Sequence, residues 1–385
     1  MNSPTFRPFP LALGGALALA VAMGVGRFIY TPILPFMFED LGLSKSEAGL
    51  IASANYVGYF VGALLAVVNL AGSRRRWLLS SLAISGLTTA AIGLASDVLT
   101  FSALRFIGGG ASAFVLLFAS PLVLERLRHG GKSHYNTLFF AGVGIGITVS
   151  AVMVSLLAQA DIGWRGQWIT GGMISIMLVV AVALLVPGQS EPPPGTKGGH
   201  GRDGLNALIL AYFLFGFGYV ITATFIVAIV RGTVEIRPLE PYVWMIVGLA
   251  ATPSVYLWNR VAEKTSVIKA YSIACAVQAA GVALSVLWPT MTGIVLAAII
   301  LGSTLMALAS LGLIAAAQMT IGDPKRVFAL MTAAFGLGQI IGPTFAGVLF
   351  DQTGSFLSAT LSASGALVIA ALLTYPFRKN LALRQ

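Results

Sequence analysis

The stretch "GVGRFIYTPILPFM", residues 24–37, lies inside an apolar run that begins near Leu11, and it carries one positive charge, Arg27. Tyr30 and Thr31 follow the arginine by three and four residues, so all three side chains share one face of a helix. A charge at the centre of a bilayer costs about 2.5–3.5 kcal/mol on insertion scales, and such residues usually face a cavity or a polar partner. What this arginine does therefore depends on what the rest of the chain places beside it.

The composition predicts an integral membrane protein. The chain has 385 residues, of which 57% are hydrophobic and only 9% are charged, whereas soluble domains average about 25% charged residues. The single cysteine, Cys275, cannot form a disulfide within the chain, and no cluster of cysteine and histidine predicts a metal site. We expect no cofactor. We also expect no nucleic-acid partner, because the positions of the basic residues account for the net charge of +10.

Twelve apolar segments have the length that a bilayer-spanning helix needs, about 20 residues. Their residues are continuously apolar and do not alternate between apolar and polar as the strands of a barrel do, which favours helices. The first segment is interpreted as an uncleaved span because it continues past Met23 with no convincing cleavage site. The predicted spans are 11–36, 47–70, 77–95, 99–123, 135–158, 167–187, 205–230, 241–259, 268–288, 291–318, 327–350 and 355–376.

The basic residues predict the orientation. With the N-terminus in the cytoplasm, 17 of the 23 Lys and Arg lie on the cytoplasmic side, as the positive-inside rule requires. The segment "PGQSEPPPGTKGGHGRDG", residues 187–204, is rich in proline and glycine and is typical of a flexible linker. We expect an N-terminal six-helix bundle over 1–187, a cytoplasmic linker over 188–204, a C-terminal six-helix bundle over 205–385, and cytoplasmic termini.

The two predicted bundles repeat each other. "GVGRFIYTPILP" from Gly24 aligns with "GFGYVITATFIV" from Gly216 at an offset of 192 residues, and Gly109 aligns with Gly302 at an offset of 193. Each unit contains six spans, so both units have the same orientation. Parallel six-span halves are the arrangement of the major facilitator fold, whereas an inverted five-span repeat would favour a LeuT-like fold.

Specific motifs add a resemblance to a known family. "GVGRFIYTPILPFM" and "GLGQIIGPTFAGVLFDQTG", residues 336–354, resemble the first and eleventh spans of the YbfB/YjiJ family within the major facilitator superfamily. "RFIGGGASA" from Arg105 is similar to the superfamily's fourth-span motif. "AGSRRRW", residues 71–77, keeps the basic part of the superfamily's loop motif and lacks its aspartate. The resemblance implies secondary transport and does not fix a substrate.

Arg27 is the principal candidate for substrate binding. All thirteen Asp and Glu fall in predicted connections, so the predicted spans offer this arginine no carboxylate. We predict that Arg27 binds an anionic group bidentately, with a hydrogen bond from Tyr30. The alternative is an arginine bonded to backbone carbonyls that Pro32 and Pro35 leave without their usual helical donors.

Other polar residues in the spans are secondary candidates. Arg105 has either a structural role or a direct substrate contact. Residues of the second span either line the cavity or bond helix to helix, and the seventh span places Tyr219 and Thr222 at the repeat positions of Arg27 and Tyr30. For the tenth and eleventh spans, packing is the favoured interpretation. The remaining candidates are Asn55, Tyr56 and Tyr59 in the second span, Ser303 and Thr304 in the tenth, and Gln339 in the eleventh.

The sequence therefore predicts a twelve-helix secondary transporter of the bacterial inner membrane that moves a small organic anion by alternating access. The alternative is an efflux pump for neutral or weakly acidic hydrophobic compounds, with Arg27 and Arg105 structural. An enzyme is not predicted, because the "GKS" at 131–133 lacks the glycine that a phosphate-binding loop requires five residues earlier. We expect a monomer surrounded by lipid, with proton coupling open.

Overall fold

The described residues of this computed structural model are 7–66, 71–188, 204–320 and 325–376. They form α-helices joined by short π and 3₁₀ segments, and no β-strand occurs among them. The predicted linker 188–204 lies outside the described residues except for its first and last glycines, and so do both chain termini.

The helices follow the predicted spans closely. Several begin at a polar residue whose side chain accepts a hydrogen bond from the amide three residues later, as Asp97 does from Thr100 at 2.9 Å, which satisfies a donor that a helix start leaves free. The α-helices are α1 Pro8–Leu19, α2 Tyr30–Leu41, α3 Lys45–Ala66, α4 Arg74–Ile92, α5 Val98–Ser120, α6 Arg126–His129, α7 Asn136–Gln159, α8 Trp164–Leu185, α9 Leu205–Gly232, α10 Glu240–Ala251, α11 Ser254–Lys264, α12 Val267–Leu287, α13 Met291–Met319, α14 Lys325–Thr353 and α15 Leu357–Thr374.

Ten helical segments among the described residues are long and apolar enough to cross a membrane. The two predicted spans that fall short are 77–95 and 241–259. The first corresponds to α4, which opens with three arginines and contains several Ser and Thr. The second is divided into α10 and α11 at Thr252 and Pro253, because proline has no N–H and restricts the residue before it. The all-helical membrane fold is confirmed, and the count of twelve spans stays a prediction.

The predicted first span is not one regular helix. It runs as α1, a π-helical segment Ala20–Val25, a turn, and then α2. The Phe28 amide bonds to the Met23 carbonyl five residues back at 3.1 Å, and the Thr31 amide bonds to the Phe28 carbonyl three residues back at 3.3 Å. A π-segment inserts an extra residue into the turn, so Arg27 lies where the backbone hydrogen-bond pattern changes.

Glycines set the closest helix contacts. A Cβ on Gly109 of α5 would lie 1.9 Å from the Asn55 carbonyl oxygen of α3, and one on Gly24 would lie 2.4 Å from the Gly146 Cα of α7. In lipid, helices associate through packing rather than through the hydrophobic effect, and small residues let their backbones approach. These contacts fix α3 against α5, and the first span against α7.

Two groups of helices meet along three seams. Helices α1–α8 pack mainly on one another, as do α9–α15, and the groups touch where α3 meets α14, α7 meets α10 and α2 meets α9. Hydrogen bonds cross the seams from the Thr31 hydroxyl to the Ala223 carbonyl at 2.7 Å and from the Ser53 hydroxyl to the Ile340 carbonyl at 2.6 Å. The bundle is therefore closed along these seams.

One end of the bundle also carries charged contacts between the groups. Arg231 lies 2.5 Å from Glu39 and 2.9 Å from Glu240. The Asp351 carboxylate of α14 accepts hydrogen bonds from the Lys45 and Ser46 amides at the start of α3, at 3.1 and 2.9 Å. We call this the ion-paired end. The arginine-rich end, defined by Arg74, Arg75 and Arg126, lies opposite.

Candidate functional site

Arg27 is buried and its guanidinium faces aromatic rings. The side chain is 3% exposed, and its guanidinium carbon lies 4.6 Å from the Tyr56 ring centroid and 4.5 Å from that of Tyr59. Both tyrosines lie on α3, and Phe28 adds a third ring at 5.7 Å. Among the described residues, Nε and Nη2 of Arg27 have no hydrogen-bond partner. Ring faces stabilise a cation but leave these N–H donors free.

Arg105 has the opposite arrangement. Its Nη1 donates to the Gly26 carbonyl at 2.9 Å and its Nη2 to the Arg27 carbonyl at 3.0 Å. These are carbonyls at the turn between the π-segment and α2, where the helical pattern is interrupted. The sequence analysis considered this backbone role for Arg27, and the structure gives it to Arg105. The Tyr30 and Trp168 rings complete its surroundings at 5.1 and 5.9 Å.

Tyr30 and Asn55 also form hydrogen bonds to the backbone with their side chains. The Tyr30 hydroxyl donates to the Ala48 carbonyl at 2.9 Å and ties α2 to α3. The Asn55 side-chain amide donates to the Arg105 carbonyl at 2.9 Å and ties α3 to α5, while its Oδ1 has no partner among the described residues. Interhelical bonding, one of the two interpretations of Asn55, is therefore present, and the hydroxyl of Tyr30 is already donated to protein.

The second group of helices contributes an aromatic and amide wall. Tyr219 of α9 and Gln339 of α14 are buried, and the Gln339 Nε2 donates to the Tyr219 hydroxyl. The Tyr219 ring is nearly parallel to that of Phe335, at 7° and 5.8 Å between centroids, and Phe215 stacks on both at 5.1 and 5.2 Å. The amide is thus held at the edge of a stacked aromatic surface.

This wall faces Arg27. The guanidinium of Arg27 lies within electrostatic range of the phenol groups of Tyr59 and Tyr219, and the Tyr56 phenol lies within the same range of Tyr219. Thr222, one turn after Tyr219, is buried, and its hydroxyl has no partner among the described residues. The structure therefore brings the predicted residues Arg27, Tyr56, Tyr59, Tyr219 and Gln339 together between the two groups of helices.

Other candidates lie apart from this cluster or are engaged elsewhere. The Ser303 and Thr304 hydroxyls donate to the Ile300 carbonyl of their own helix at 3.1 and 2.7 Å, as the packing interpretation expects. Phe215 and Phe335 were missed by the sequence analysis. Each precedes a candidate by four residues, Tyr219 and Gln339 respectively, and that spacing on a helix face was the available signal.

Acidic side chains of the described residues lie at helix ends and in connections rather than near Arg27. Glu47 is in the first turn of α3 and Asp351 in the last turn of α14. The salt bridges within the described residues join Arg231 to Glu39 and Glu240, and Arg260 to Glu263. No group of three or more His, Cys, Asp or Glu capable of holding a metal occurs in this part of the chain. Arg27 is therefore a buried cation without a protein counter-ion there.

Comparison with known proteins gives the family. The profile of the family described as "Uncharacterised MFS-type transporter YbfB" matches residues 19–375. The chain is 26% identical over 404 residues to the chloramphenicol resistance protein of Streptomyces lividans, covering 96% of each. It is 27% identical over 157 residues to the gallate transporter of Pseudomonas putida, covering 40% of this chain and 34% of that protein.

A further relative and a solved structure agree. The 4-hydroxybenzoate transporter PcaK of Acinetobacter baylyi is 26% identical over 156 residues, covering 40% of this chain and 34% of that protein. The crystal structure of the nucleoside transporter NupG, as its D323A mutant, superposes with a TM-score of 0.74 at 15% identity, covering 95% of this chain and 99% of that one. The similarity to NupG concerns the fold alone.

The fold and the family profile define a multi-pass helical membrane transporter with the major facilitator fold, and not an enzyme. The chain belongs to the family of YbfB-type MFS transporters. The predicted family resemblance is confirmed over most of the chain.

Proposed function

We propose that the protein is a secondary active transporter of the bacterial inner membrane that moves a small organic anion by alternating access, with Arg27 binding the anionic group. The observation that carries the proposal is the pair of buried, unpartnered donors, Nε and Nη2, on Arg27. A buried polar group without a partner costs about 1–3 kcal/mol, more when it is charged. A carboxylate can accept from both nitrogens at once, because the guanidinium fork matches its two oxygens.

Charge selectivity follows from the surroundings of Arg27. A cationic solute would meet Arg27 with no carboxylate of the described residues beside it. Binding of a carboxylate instead neutralises the arginine inside a low-dielectric cluster, where a charge pair interacts more strongly than in water. The names of two relatives, the gallate transporter and the 4-hydroxybenzoate transporter, describe solutes that carry a carboxylate, and this supports the same class here.

Alternating access rests on the two groups of helices. We propose that residues 1–187 and 205–385 are two six-helix bundles related by a two-fold axis along the membrane normal, that the chain acts as a monomer, and that the linker and termini are cytoplasmic. The ion-paired end, which holds Arg231, Glu39 and Asp351, then faces the periplasm. In this conformation the site is closed toward the periplasm, and transport requires the contacts at that end to break.

The test compares benzoate with benzamide, which has nearly the same shape and no charge. Purified protein in nanodiscs should bind benzoate, measured by calorimetry, and bind benzamide much more weakly. A hydrogen bond to a charged group contributes about 1.5–3 kcal/mol, and 1.4 kcal/mol is tenfold in affinity. Arg27→Gln should therefore weaken benzoate roughly ten- to a hundredfold. Arg27→Lys, which keeps the charge and loses the fork, should weaken it less.

The matched control is Arg260→Gln, which removes the same charge from the exposed side of α11 and should leave benzoate affinity unchanged. Each variant is compared at equal protein amount and with its melting temperature recorded. Normal folding of Arg27→Gln together with wild-type benzoate affinity would refute the anion assignment.

One observation favours a second function, efflux of neutral or weakly acidic hydrophobic compounds. One relative that matches over nearly the whole chain is a chloramphenicol resistance protein, and chloramphenicol is an uncharged aromatic compound. In that case the stacked rings of Phe215, Tyr219 and Phe335 bind the solute and Arg27 is structural. Binding of chloramphenicol that survives Arg27→Gln, without benzoate binding, would support this alternative.

A further inference from the structure

The wall opposite Arg27 contains polar atoms that the anion contact does not use. Gln339 is fully buried, its Nε2 is engaged with the Tyr219 hydroxyl, and its Oε1 has no partner among the described residues. Buried side-chain polar atoms are nearly always hydrogen-bonded. An amide held at one end by Tyr219 and left free at the other is therefore an acceptor available to a ligand.

Close packing holds this amide in place. The neighbouring Gly338 approaches α9 so tightly that a Cβ there would lie 2.2 Å from the Phe213 carbonyl oxygen, and one on Gly216 would lie 2.4 Å from the Phe335 carbonyl oxygen. These two contacts lock α14 against α9 on both sides of the aromatic stack. The Gln339 side chain consequently has little freedom to turn away and find another donor.

The two free sites belong to different groups of helices. Arg27 belongs to the first group of helices and offers two donors, whereas Gln339 belongs to the second group and offers one acceptor. Tyr219 lies near both, because it bonds to Gln339 and is within electrostatic range of Arg27. The rings of Tyr56 and Tyr59 lie against Arg27 and that of Phe335 lies against Tyr219, and such ring faces favour a flat aromatic body.

We propose that the solute is an aromatic carboxylate with a hydroxyl group on its ring, and that Gln339 accepts the hydrogen bond from that hydroxyl. This inference rests on the proposed function, because the carboxylate must be bound by Arg27. It adds a second contact point, carried by the opposite group of helices, and makes Gln339 a specificity-determining residue.

The arrangement also links recognition to transport. A solute with both groups contacts one residue in each group of helices, so it holds the two groups together at the site. A solute with the carboxylate alone contacts only the first group through a polar bond. Substrate binding that depends on both groups is the differential interaction by which a ligand shifts a conformational equilibrium.

The experiment measures the affinity of three matched solutes, benzoate, 4-hydroxybenzoate and 4-methoxybenzoate. The hydroxyl can donate a hydrogen bond, whereas the methoxy group can only accept one. We expect wild-type protein to bind 4-hydroxybenzoate about three- to tenfold more tightly than benzoate, as for a neutral hydrogen bond, and 4-methoxybenzoate no more tightly than benzoate. Gln339→Leu should abolish the hydroxyl preference, so that the variant binds 4-hydroxybenzoate and benzoate with equal affinity.

The outcomes separate the two proposals. If benzoate binds and depends on Arg27, but 4-hydroxybenzoate gains nothing or Gln339→Leu keeps the preference, the Gln339 subsite is wrong and the anion site stands. A preference for methoxy over hydroxyl would also overturn the subsite, because the free group would then be a donor. If Arg27→Gln folds normally and binds benzoate as tightly as wild type does, the proposed function itself fails. Should Gln339→Leu fold poorly, Gln339→Glu provides the second variant, since a carboxylate there should repel benzoate.

Discussion

At the scale of single residues, two arginines that are equally buried differ in their hydrogen-bond partners. Arg27 and Arg105 are each 3% exposed, and a desolvated guanidinium needs polar or aromatic neighbours. Arg105 donates to the Gly26 and Arg27 carbonyls, whereas Arg27 keeps two free donors. Arg105 is thus a positioning residue, because it holds the turn from which the Arg27 side chain projects.

Removing Arg105 should destabilise the fold. In Arg105→Gln the two buried carbonyls lose their donors, and leaving a buried polar group unpaired costs about 1–3 kcal/mol. We expect a lower melting temperature and less folded protein, measured by size-exclusion chromatography and thermal unfolding in detergent. Arg260→Gln is the surface control. A variant that melts like wild type and loses only benzoate binding would instead make Arg105 a direct ligand contact.

At the scale of helices, the decisive features are interruptions and close approaches. The first span changes from π-helix to turn before Tyr30, and the predicted eighth span divides at Pro253. Proline and glycine cause such breaks because they alter the backbone hydrogen-bond pattern. Elsewhere glycine serves packing, and Gly109 against the Asn55 carbonyl is one of the tight contacts between α5 and α3.

Alanine at Gly109 should disrupt the α3–α5 contact. The added Cβ would lie 1.9 Å from a backbone oxygen, which cannot yield as a flexible side chain can. We expect a clear fall in melting temperature, and weaker benzoate binding because α3 carries Tyr56 and Tyr59. Gly365→Ala is the matched control, since that helical glycine has nothing within 4 Å, and alanine is about 1 kcal/mol more favourable in a helix. Equal melting of the two variants would contradict the packing argument.

At the scale of the whole molecule, the ion-paired end joins the two groups of helices. Arg231 bridges Glu39 of α2 and Glu240 of α10, and the Asp351 carboxylate caps the start of α3 from α14. An anion is favourable at a helix N-terminus, where backbone N–H groups are free. Under the proposed alternating access, opening this end requires these contacts to separate, so we expect them to stabilise the present conformation over the opposite one.

Weakening these contacts should shift the conformational equilibrium. In a Ser53→Cys background, Asp351→Asn combined with Arg231→Gln should increase labelling of the introduced cysteine by a membrane-impermeant maleimide. Ser53 lies in the α3–α14 seam, and the native Cys275 is buried and should stay unlabelled. Arg260→Gln in the same background controls for the loss of charge. Unchanged labelling of the introduced cysteine would mean that the ion-paired end does not hold the seam closed.

Neutralising two acids at this end should leave proton dependence intact. Glu39 pairs with Arg231, and Asp40 accepts a hydrogen bond from the Trp164 indole at 2.5 Å, so both carboxylates have structural partners. In Glu39→Gln with Asp40→Asn, the ratio of uptake at acidic and neutral external pH should match wild type, if uptake is proton-dependent. Loss of that ratio with counterflow retained would show that one of these acids carries the proton.

The membrane fold and the key residue were both accessible from the sequence. Long apolar runs must become helices in lipid because backbone polar groups have no other partners there, and this placed the helices within a few residues of their observed bounds. Arg27 stood out for the same reason, since a charge in such a run requires an explanation. Tyr56 and Tyr59 became candidates through their helical spacing and Tyr219 through the internal repeat, whereas for Gln339 the sequence favoured packing.

Only the tertiary structure assigned the partners. The sequence shows two arginines without a carboxylate, and nothing in it says which guanidinium bonds to the carbonyls of the turn and which stays free. That depends on how α5 packs beside the first span, which brings the Arg105 guanidinium to the Gly26 and Arg27 carbonyls. The free oxygen of Gln339 likewise exists only because α14 packs on α9 so that Tyr219 occupies the other end of the amide. Local pattern thus determined which residues enter the membrane, and long-range packing determined which of their polar groups remain for a solute.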